Sequence, residues 1–252
     1  MIIAATDLDR TLVHSARAAG PVVPESVVCL ERRGDVPTAM LTPRTAADLV
    51  TLDRHATWVP ATARTVAEYR RLDLPSRLGV APRFAVCAGG GVLLVDGEPD
   101  ASWAREVRRR LAVSAPPAEV ARRLGTARDA DGCFLVARRA QVRLDGLAAW
   151  CAERGWRVDV DRAKVHVLPV ALTKSAAVAE VRRRTGAAHL LAAGDSPLDA
   201  DLLAAADAGI QPVDGRLHAS GWRADHVAVT TGSGLAAGEE IAAWLVRGLR
   251  PT

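Results

Sequence analysis

Ile2-Ile3-Ala4-Ala5-Thr6-Asp7-Leu8-Asp9-Arg10-Thr11 (residues 2–11) opens the chain on a short apolar run that breaks abruptly into two carboxylates. Five residues without a polar partner on either face read as a strand buried on both sides. Further along, His189-Leu190-Leu191-Ala192-Ala193-Gly194 repeats the design and ends in Asp195-Ser196-Pro197-Leu198-Asp199. Helical periodicity is expected near 66–72, 174–185, 199–206 and 238–248, and in a helix capped by Thr45 that runs to about residue 55. Further strands are expected at 57–62, 83–88 and 226–230. Residues 24–42 fit either a short helix and a strand, or a two-stranded flap turning at Gly34-Asp35.

Between these alternating elements lies a stretch of different character. Helices near 102–113 and 117–124 precede a strand at 133–138, a helix near 143–154, and strands at 157–160 and 164–168 joined by an Asp161-Arg162 turn. The expected architecture is therefore α/β: a doubly wound parallel sheet formed by 1–91 and 169–252, interrupted by a smaller α+β domain over 92–168. In such sheets the ligand site lies beyond the carboxyl ends of the strands.

Composition narrows the function classes. A chain of 252 residues that is 49% hydrophobic but only 4% aromatic must build its core from Ala, Val and Leu. No apolar run approaches the ~20 residues of a membrane span, and Asp7 and Asp9 interrupt the opening stretch before it could serve as a secretion signal. Cys29, Cys87, Cys133 and Cys151 are scattered without a CxxC pair, which suits buried thiols in a reducing cytoplasm. The net charge of +4 rests on arginine, with Lys164 and Lys174 the only lysines. The clusters 105–110 and 182–184 lie on amphipathic helical stretches without interleaved aromatics, so solvated helix faces explain them better than a nucleic-acid surface. The expectation is a protein with no nucleic-acid or membrane partner, acting as a monomer or homodimer.

Four polar clusters fall where strands end or helices begin. Asp7 and Asp9, spaced i, i+2 at a strand end, can approach one point as a nucleophile and a proton-handling group. Asp195 and Asp199 add carboxylates at the same sheet edge, and clustered hard oxygens suit magnesium. Thr62-Ala63-Arg64-Thr65 offers a hydroxyl beside helix N-terminal amides, an anion site. Thr173-Lys174 begins a helix with a compact ammonium suited to phosphoryl charge.

In this order the motifs resemble those of haloacid-dehalogenase-like (HAD) phosphatases: DxDxT, then Thr, then Lys, then GDxxxD. The insert placed between the second and third motifs is similar to that of the Cof-type and sucrose-phosphatase-like branch. The resemblance implies that Asp7 is the nucleophile, forming an aspartyl-phosphate, and that Asp9 protonates the leaving oxygen and later activates water. It implies Mg2+ held by the Asp7 carboxylate, the Asp9 backbone carbonyl and Asp195, with Asp199 close by. Thr62, Lys174 and Ser196 would hold phosphoryl oxygens, and the insert would act as a cap over a small phosphorylated metabolite such as a sugar phosphate. Three features depart from the pattern. Arg10 replaces a frequent glycine, Gly89-Gly90 replaces a frequent Asn-Gly, and Thr42-Pro43-Arg44-Thr45 duplicates the second motif. Thr62 follows the cleaner strand and is preferred, with Thr42 as the alternative. Arg10, Arg64 and Gly90 are candidate substrate contacts.

Plainer readings stand beside these. Asp199 could cap the following helix, and Arg64 could be a surface or capping residue. His14 reads as an exposed loop histidine, and His166 and His189 as structural. Trp103, Trp150, Trp156 and Trp244 fit packing. Alternatives to hydrolysis are a phosphotransferase or phosphomutase using Asp7, and a non-catalytic binding protein on the same fold.

Overall fold

A computed structural model describes residues 1–21 and 24–249; positions 22–23, in the first expected core segment, and 250–252, at the end of the second, lie outside the described residues. The chain begins with β1 (Ile2–Thr6), followed by the hairpin β2 (Val28–Arg33) and β3 (Val36–Leu41). The second reading of 24–42 is thus the correct one: the strands pair antiparallel about Gly34, whose φ of +58° suits the turn. Helix α1 (Pro43–His55) starts two residues before the expected cap, because Thr42 rather than Thr45 is its N-cap and accepts the Thr45 amide. Pro43 at the first helical position needs no N–H partner there.

Strand β4 (Thr57–Pro60) leads to α2 (Val66–Arg70) and to a short α3 (Leu74–Leu78) that was not foreseen. Then come the antiparallel strands β5 (Phe84–Cys87), β6 (Val92–Val95) and β7 (Glu98–Pro99). The inserted elements are α4 (Ala101–Leu111), α5 (Pro117–Leu124), β8 (Ala127–Ala130), β9 (Phe134–Arg138), α6 (Leu147–Ala152), β10 (Trp156–Val160) and β11 (Lys164–Pro169). The expected helix over 143–154 shrinks to α6 because Gly146 takes up a left-handed conformation at its start. Strand β8 was missed because Ala127-Arg128-Asp129-Ala130 shows no apolar alternation, yet it pairs along its whole length with β9.

The core resumes with α7 (Lys174–Thr185), β12 (His189–Ala193), α8 (Ala200–Ala204), β13 (Ala208–Gln211), α9 (Arg216–Ala219), β14 (Val227–Val229) and α10 (Leu235–Arg247). Strand β13 and helix α9 were not foreseen. Gly209 weakens the strand signal of β13, but the absent side chain lets it pack between Leu203 and Val227.

The main sheet runs β14-β13-β12-β1-β4 with every neighbour parallel, and an Ala61–Val86 bridge joins β5 beyond β4. The two-residue period of β1 sends Ala4 to one face and Ile3 and Ala5 to the other. On the first face Leu49 and Leu52 of α1 meet Ile241, Ala242 and Leu245 of α10 over Trp58 and Ile210. On the second, Ala177, Val178 and Val181 of α7 and Leu202 and Leu203 of α8 cover Val59, Leu190 and Ala192. Burial of each Leu, Ile or Val contributes about 1.5–3 kcal/mol. Helices on both faces make the doubly wound core expected from the sequence.

The inserted β-strands form a separate antiparallel sheet ordered β10-β11-β9-β8. One face carries Leu135, Ala137, Val165 and Val167 against Val120, Leu124, Leu147 and Cys151 of α5 and α6. The other carries Phe134 and Val136 toward the main domain.

Candidate active site

Three adjacent strands deliver the polar clusters to one rim. Thr6 pairs with Ala193 of β12 on one side and with Pro60 of β4 on the other, so the three carboxyl ends are level. The Asp7 amide continues the ladder to the Ala193 carbonyl at 2.9 Å. Two residues past the ends of β12 and β4 stand Asp195 and Thr62. Lys174 begins α7, with Thr173 as N-cap accepting the Ala176 amide at 3.2 Å.

The buried Lys174 ammonium donates to Asp7 Oδ1 at 2.7 Å and to Asp199 Oδ1 at 2.6 Å. Asp199 does not cap α8 with its side chain: its Oδ2 accepts from the Ser196 amide at 3.0 Å and the Ser196 hydroxyl at 2.8 Å. Asp195 Oδ2 is buried without a hydrogen-bond partner, and the nearest cation is Arg10 Nε at 3.7 Å. Ligand oxygens of Asp7, Asp195 and Asp199 all lie within 4.8 Å of one another. Burial pushes the Asp7 carboxyl above its ordinary range, Lys174 opposes this, and the neighbouring Asp199 and Asp9 add to it. Asp195 is raised well above its ordinary range by burial and by the charges of Asp7 and Asp199. Burial works against the Lys174 ammonium, but Asp199 and Asp7 outweigh it and hold the charge in place.

Three buried carboxylates around one ammonium leave an excess of negative charge, and buried charge needs compensation. The orphaned Asp195 oxygen and the hard-oxygen donor set fit a divalent cation such as magnesium.

Asp9 lies outside this cluster. Both its oxygens face Arg64, which donates from Nε and from a terminal nitrogen at 2.7 Å each. The Arg64 side chain is only 11% exposed, so the surface reading of this residue is incorrect. The same guanidinium reaches Glu31 Oε2 on β2 at 3.0 Å and so ties the flap to Asp9. Thr62 lines the cavity above Asp7, and its hydroxyl accepts the Arg64 amide at 3.1 Å. Thr42 is occupied with Thr45 at the start of α1 and is not among the cavity-lining residues.

Arg10 lines the cavity with φ of +66°, a conformation in which a side chain is costly. Gly90 is buried with φ of +108°; its carbonyl accepts from Trp103 Nε1, and a Cβ there would lie 2.1 Å from the Thr173 carbonyl oxygen. His14 is not an exposed loop residue but is 2% exposed, paired through its backbone with Met40 of β3.

The cavity above the rim has a volume of about 810 Å3. Its roof is the inserted sheet, which contributes Arg128, Asp159, Lys164 and His166. No sequence motif marks these residues, or Glu31 and Arg216, as part of the site. Strand alternation places residues 159 and 166 on one face of the hairpin that turns at Asp161-Arg162, but does not say which face meets the site.

Solved structures share this architecture. Sucrose-phosphatase from Synechocystis sp. PCC6803, in complex with sucrose and phosphate, is 17% identical and superposes with a TM-score of 0.67 over 96% of this chain and 97% of that one. This is the haloacid-dehalogenase-like fold. A HAD subclass IIB sugar phosphatase is 12% identical, with a TM-score of 0.62 over 99% of this chain and 100% of that one. A haloacid dehalogenase-like hydrolase protein from Bacillus subtilis is 14% identical, with a TM-score of 0.55 over 98% and 89%. No protein-family model and no curated protein matches the sequence. Among the described residues, no helix is long and apolar enough to cross a membrane.

Proposed function

We propose that this chain is a magnesium-dependent phosphatase that hydrolyses a small phosphate monoester, a sugar phosphate in the first instance, through an aspartyl-phosphate on Asp7. The observation that carries the reading is the convergence of Asp7, Asp195 and Asp199 within 4.8 Å at one rim of the sheet, with the Lys174 ammonium between two of them. A magnesium ion held by Asp7, Asp195 and the Asp9 backbone carbonyl, with Asp199 alongside, would supply positive charge to the phosphoryl oxygens.

In the first step an Asp7 carboxylate oxygen bonds to phosphorus as the bond to the leaving oxygen breaks, and Asp9 gives that oxygen a proton. In the second, water bonds to phosphorus while Asp9 takes its proton; the Asp7–phosphorus bond breaks and inorganic phosphate leaves. Lys174 and Thr62 hold phosphoryl oxygens, with Ser196 beside them on the loop after β12, since positioning and charge neutralisation supply most of the rate in phosphoryl transfer. The inserted elements α4 to β11 form the cap that excludes water and meets the leaving group. A sugar is supported by the cavity's lining, which is rich in charged and hydroxyl side chains and holds no Phe, Tyr or Trp among the described residues, and by the phosphatases with the same fold.

The test is phosphate release from a panel of sugar and alkyl phosphates with magnesium or with EDTA, run beside Asp7→Asn. Magnesium-dependent release abolished in the variant is the expected result. Release that persists in Asp7→Asn would remove that residue as nucleophile.

A further inference from the structure

One rung of the inserted sheet crosses the roof of the cavity. Asp159 on β10 pairs with His166 on β11, His166 with Val136 on β9, and Val136 with Arg128 on β8. Side chains on one rung project to the same face, and all four line the cavity over Asp7.

The two ends of this rung are already engaged by the main domain. Asp159 accepts both terminal nitrogens of Arg216 on α9, one at 3.0 Å. Arg128 donates to Glu68 Oε1 on α2 at 3.0 Å. Burial alone would raise the Asp159 carboxyl, but His166 and Arg216 bring it down to about 2. Val136 offers no polar atom. His166 is left as the middle group of the roof, with its Nδ1 buried and without a hydrogen-bond partner, 3.8 Å from Asp159 Oδ2. The Phe134 ring lies beside it with centroids 6.1 Å apart and the two planes tilted by 50°. A carboxylate next to Nδ1 favours the tautomer that carries its proton there, which leaves Nε2 as an acceptor.

We propose that His166, oriented by Asp159 and Phe134, is the specificity-determining residue of the roof and accepts a hydrogen bond from a hydroxyl of the leaving alcohol. The inference rests on the phosphatase reading and narrows it: the substrate carries at least one hydroxyl beyond the phosphorylated oxygen. An aryl or simple alkyl leaving group gains nothing from this contact.

The experiment uses the full chain with magnesium, comparing p-nitrophenyl phosphate with the hexose monophosphate the wild type hydrolyses fastest in a panel. His166→Ala is expected to lower kcat/KM on the hexose phosphate by about 10-fold or more, as for a lost directional hydrogen bond. It should leave p-nitrophenyl phosphate within about twofold, since the loss concerns one contact only. His166→Gln, which keeps an acceptor, should recover part of the hexose phosphate activity. An equal loss on both substrates would show a merely structural residue, and no loss on either would also overturn the proposal. Wild-type activity on p-nitrophenyl phosphate alone, abolished by Asp7→Asn, would overturn the hydroxyl-reading role while leaving the phosphatase reading intact. Activity on neither substrate would overturn both.

Discussion

Arg64 and Asp9, 55 residues apart in sequence, meet through two parallel N–H···O contacts of 2.7 Å, so both oxygens of Asp9 are occupied. Under the proposed mechanism Asp9 would exchange one of these contacts for the leaving oxygen, and Arg64 would act as a positioning residue for it. We expect Asp9→Asn to lower kcat on alkyl phosphates by about 10²–10⁴-fold, the usual worth of a general acid. Aryl phosphates, whose leaving oxygen needs less protonation, should lose less. For Arg64→Ala the loss should be about tenfold, smaller than for Asp9→Asn because the acid itself remains. Steady-state kinetics on the two substrate types check this, and an Arg64→Ala loss equal to that of Asp9→Asn would show that the arginine does more than position.

Lys174 compensates two of three buried carboxylates. Replacing it by methionine leaves Asp7 and Asp199 unpaired, and breaking a buried ion pair from one side costs about 3–5 kcal/mol. Thermal melts in EDTA should show a much lower Tm for Lys174→Met, with a larger rise on adding magnesium than the wild type shows. Asp195→Asn should behave oppositely. Removing a charge that has no hydrogen-bond partner should keep or raise Tm in EDTA and erase the magnesium-induced rise. A magnesium response that survives in Asp195→Asn would place the ion elsewhere.

Gly90 holds the strand-end loop against the start of α7. Alanine there would bring Cβ to 2.1 Å from the Thr173 carbonyl oxygen, at a φ of +108°. We expect Gly90→Ala to cost about 2 kcal/mol or more through strain and to lower kcat by displacing Lys174. Urea unfolding and phosphate-release assays read the two effects, and a stable, fully active variant would show that the loop gives way without moving Lys174.

Burial depresses the pKa of His14 to about 4, with Asp214 and Asp9 partly opposing and Arg10 adding to the shift. In the unfolded chain it titrates near the ordinary histidine value of about 6.5. Between these values the unfolded state binds the extra proton, so stability rises with pH there and falls progressively as pH drops from 6.5 toward 4. At 1.36 kcal/mol per unit the full contribution is about 3 kcal/mol. Urea titrations at pH 7 and pH 4.5 should therefore show a smaller pH effect in His14→Leu than in the wild type. An identical pH effect in both would assign the acid sensitivity to other groups.

Much of the rim was legible because chemistry there follows local rules. Asp7, Asp195 and Thr62 each stand just past an apolar strand, and parallel neighbours bring such positions level. The roof was not legible in the same way. His166 alternates with Val165 and Val167, a pattern that also describes a packed structural histidine, and only the register against Asp159 and Val136 shows which side it faces. Arg64 reads as an ordinary charged residue beside a helix start; its partners Asp9 and Glu31 come from other elements, and no local pattern announces a long-range ion pair. Strand β13 was hidden because Gly209 and Gln211 dilute its apolar signal, although parallel neighbours bury it on both sides.

The inserted sheet meets the main domain in two chemically different ways. Ala130, Phe134 and Leu168 belong to the same apolar cluster as the main domain, whereas Asp159 with Arg216 and Arg128 with Glu68 close the cavity by charge alone. Both clasps border the opening above Asp7, and the more exposed Arg128–Glu68 pair weakens as ionic strength rises, whereas the largely buried Asp159–Arg216 pair is screened less. If departure of product through this opening limits turnover, kcat should increase with moderate salt in the wild type, and Arg216→Met should reproduce that increase at low salt.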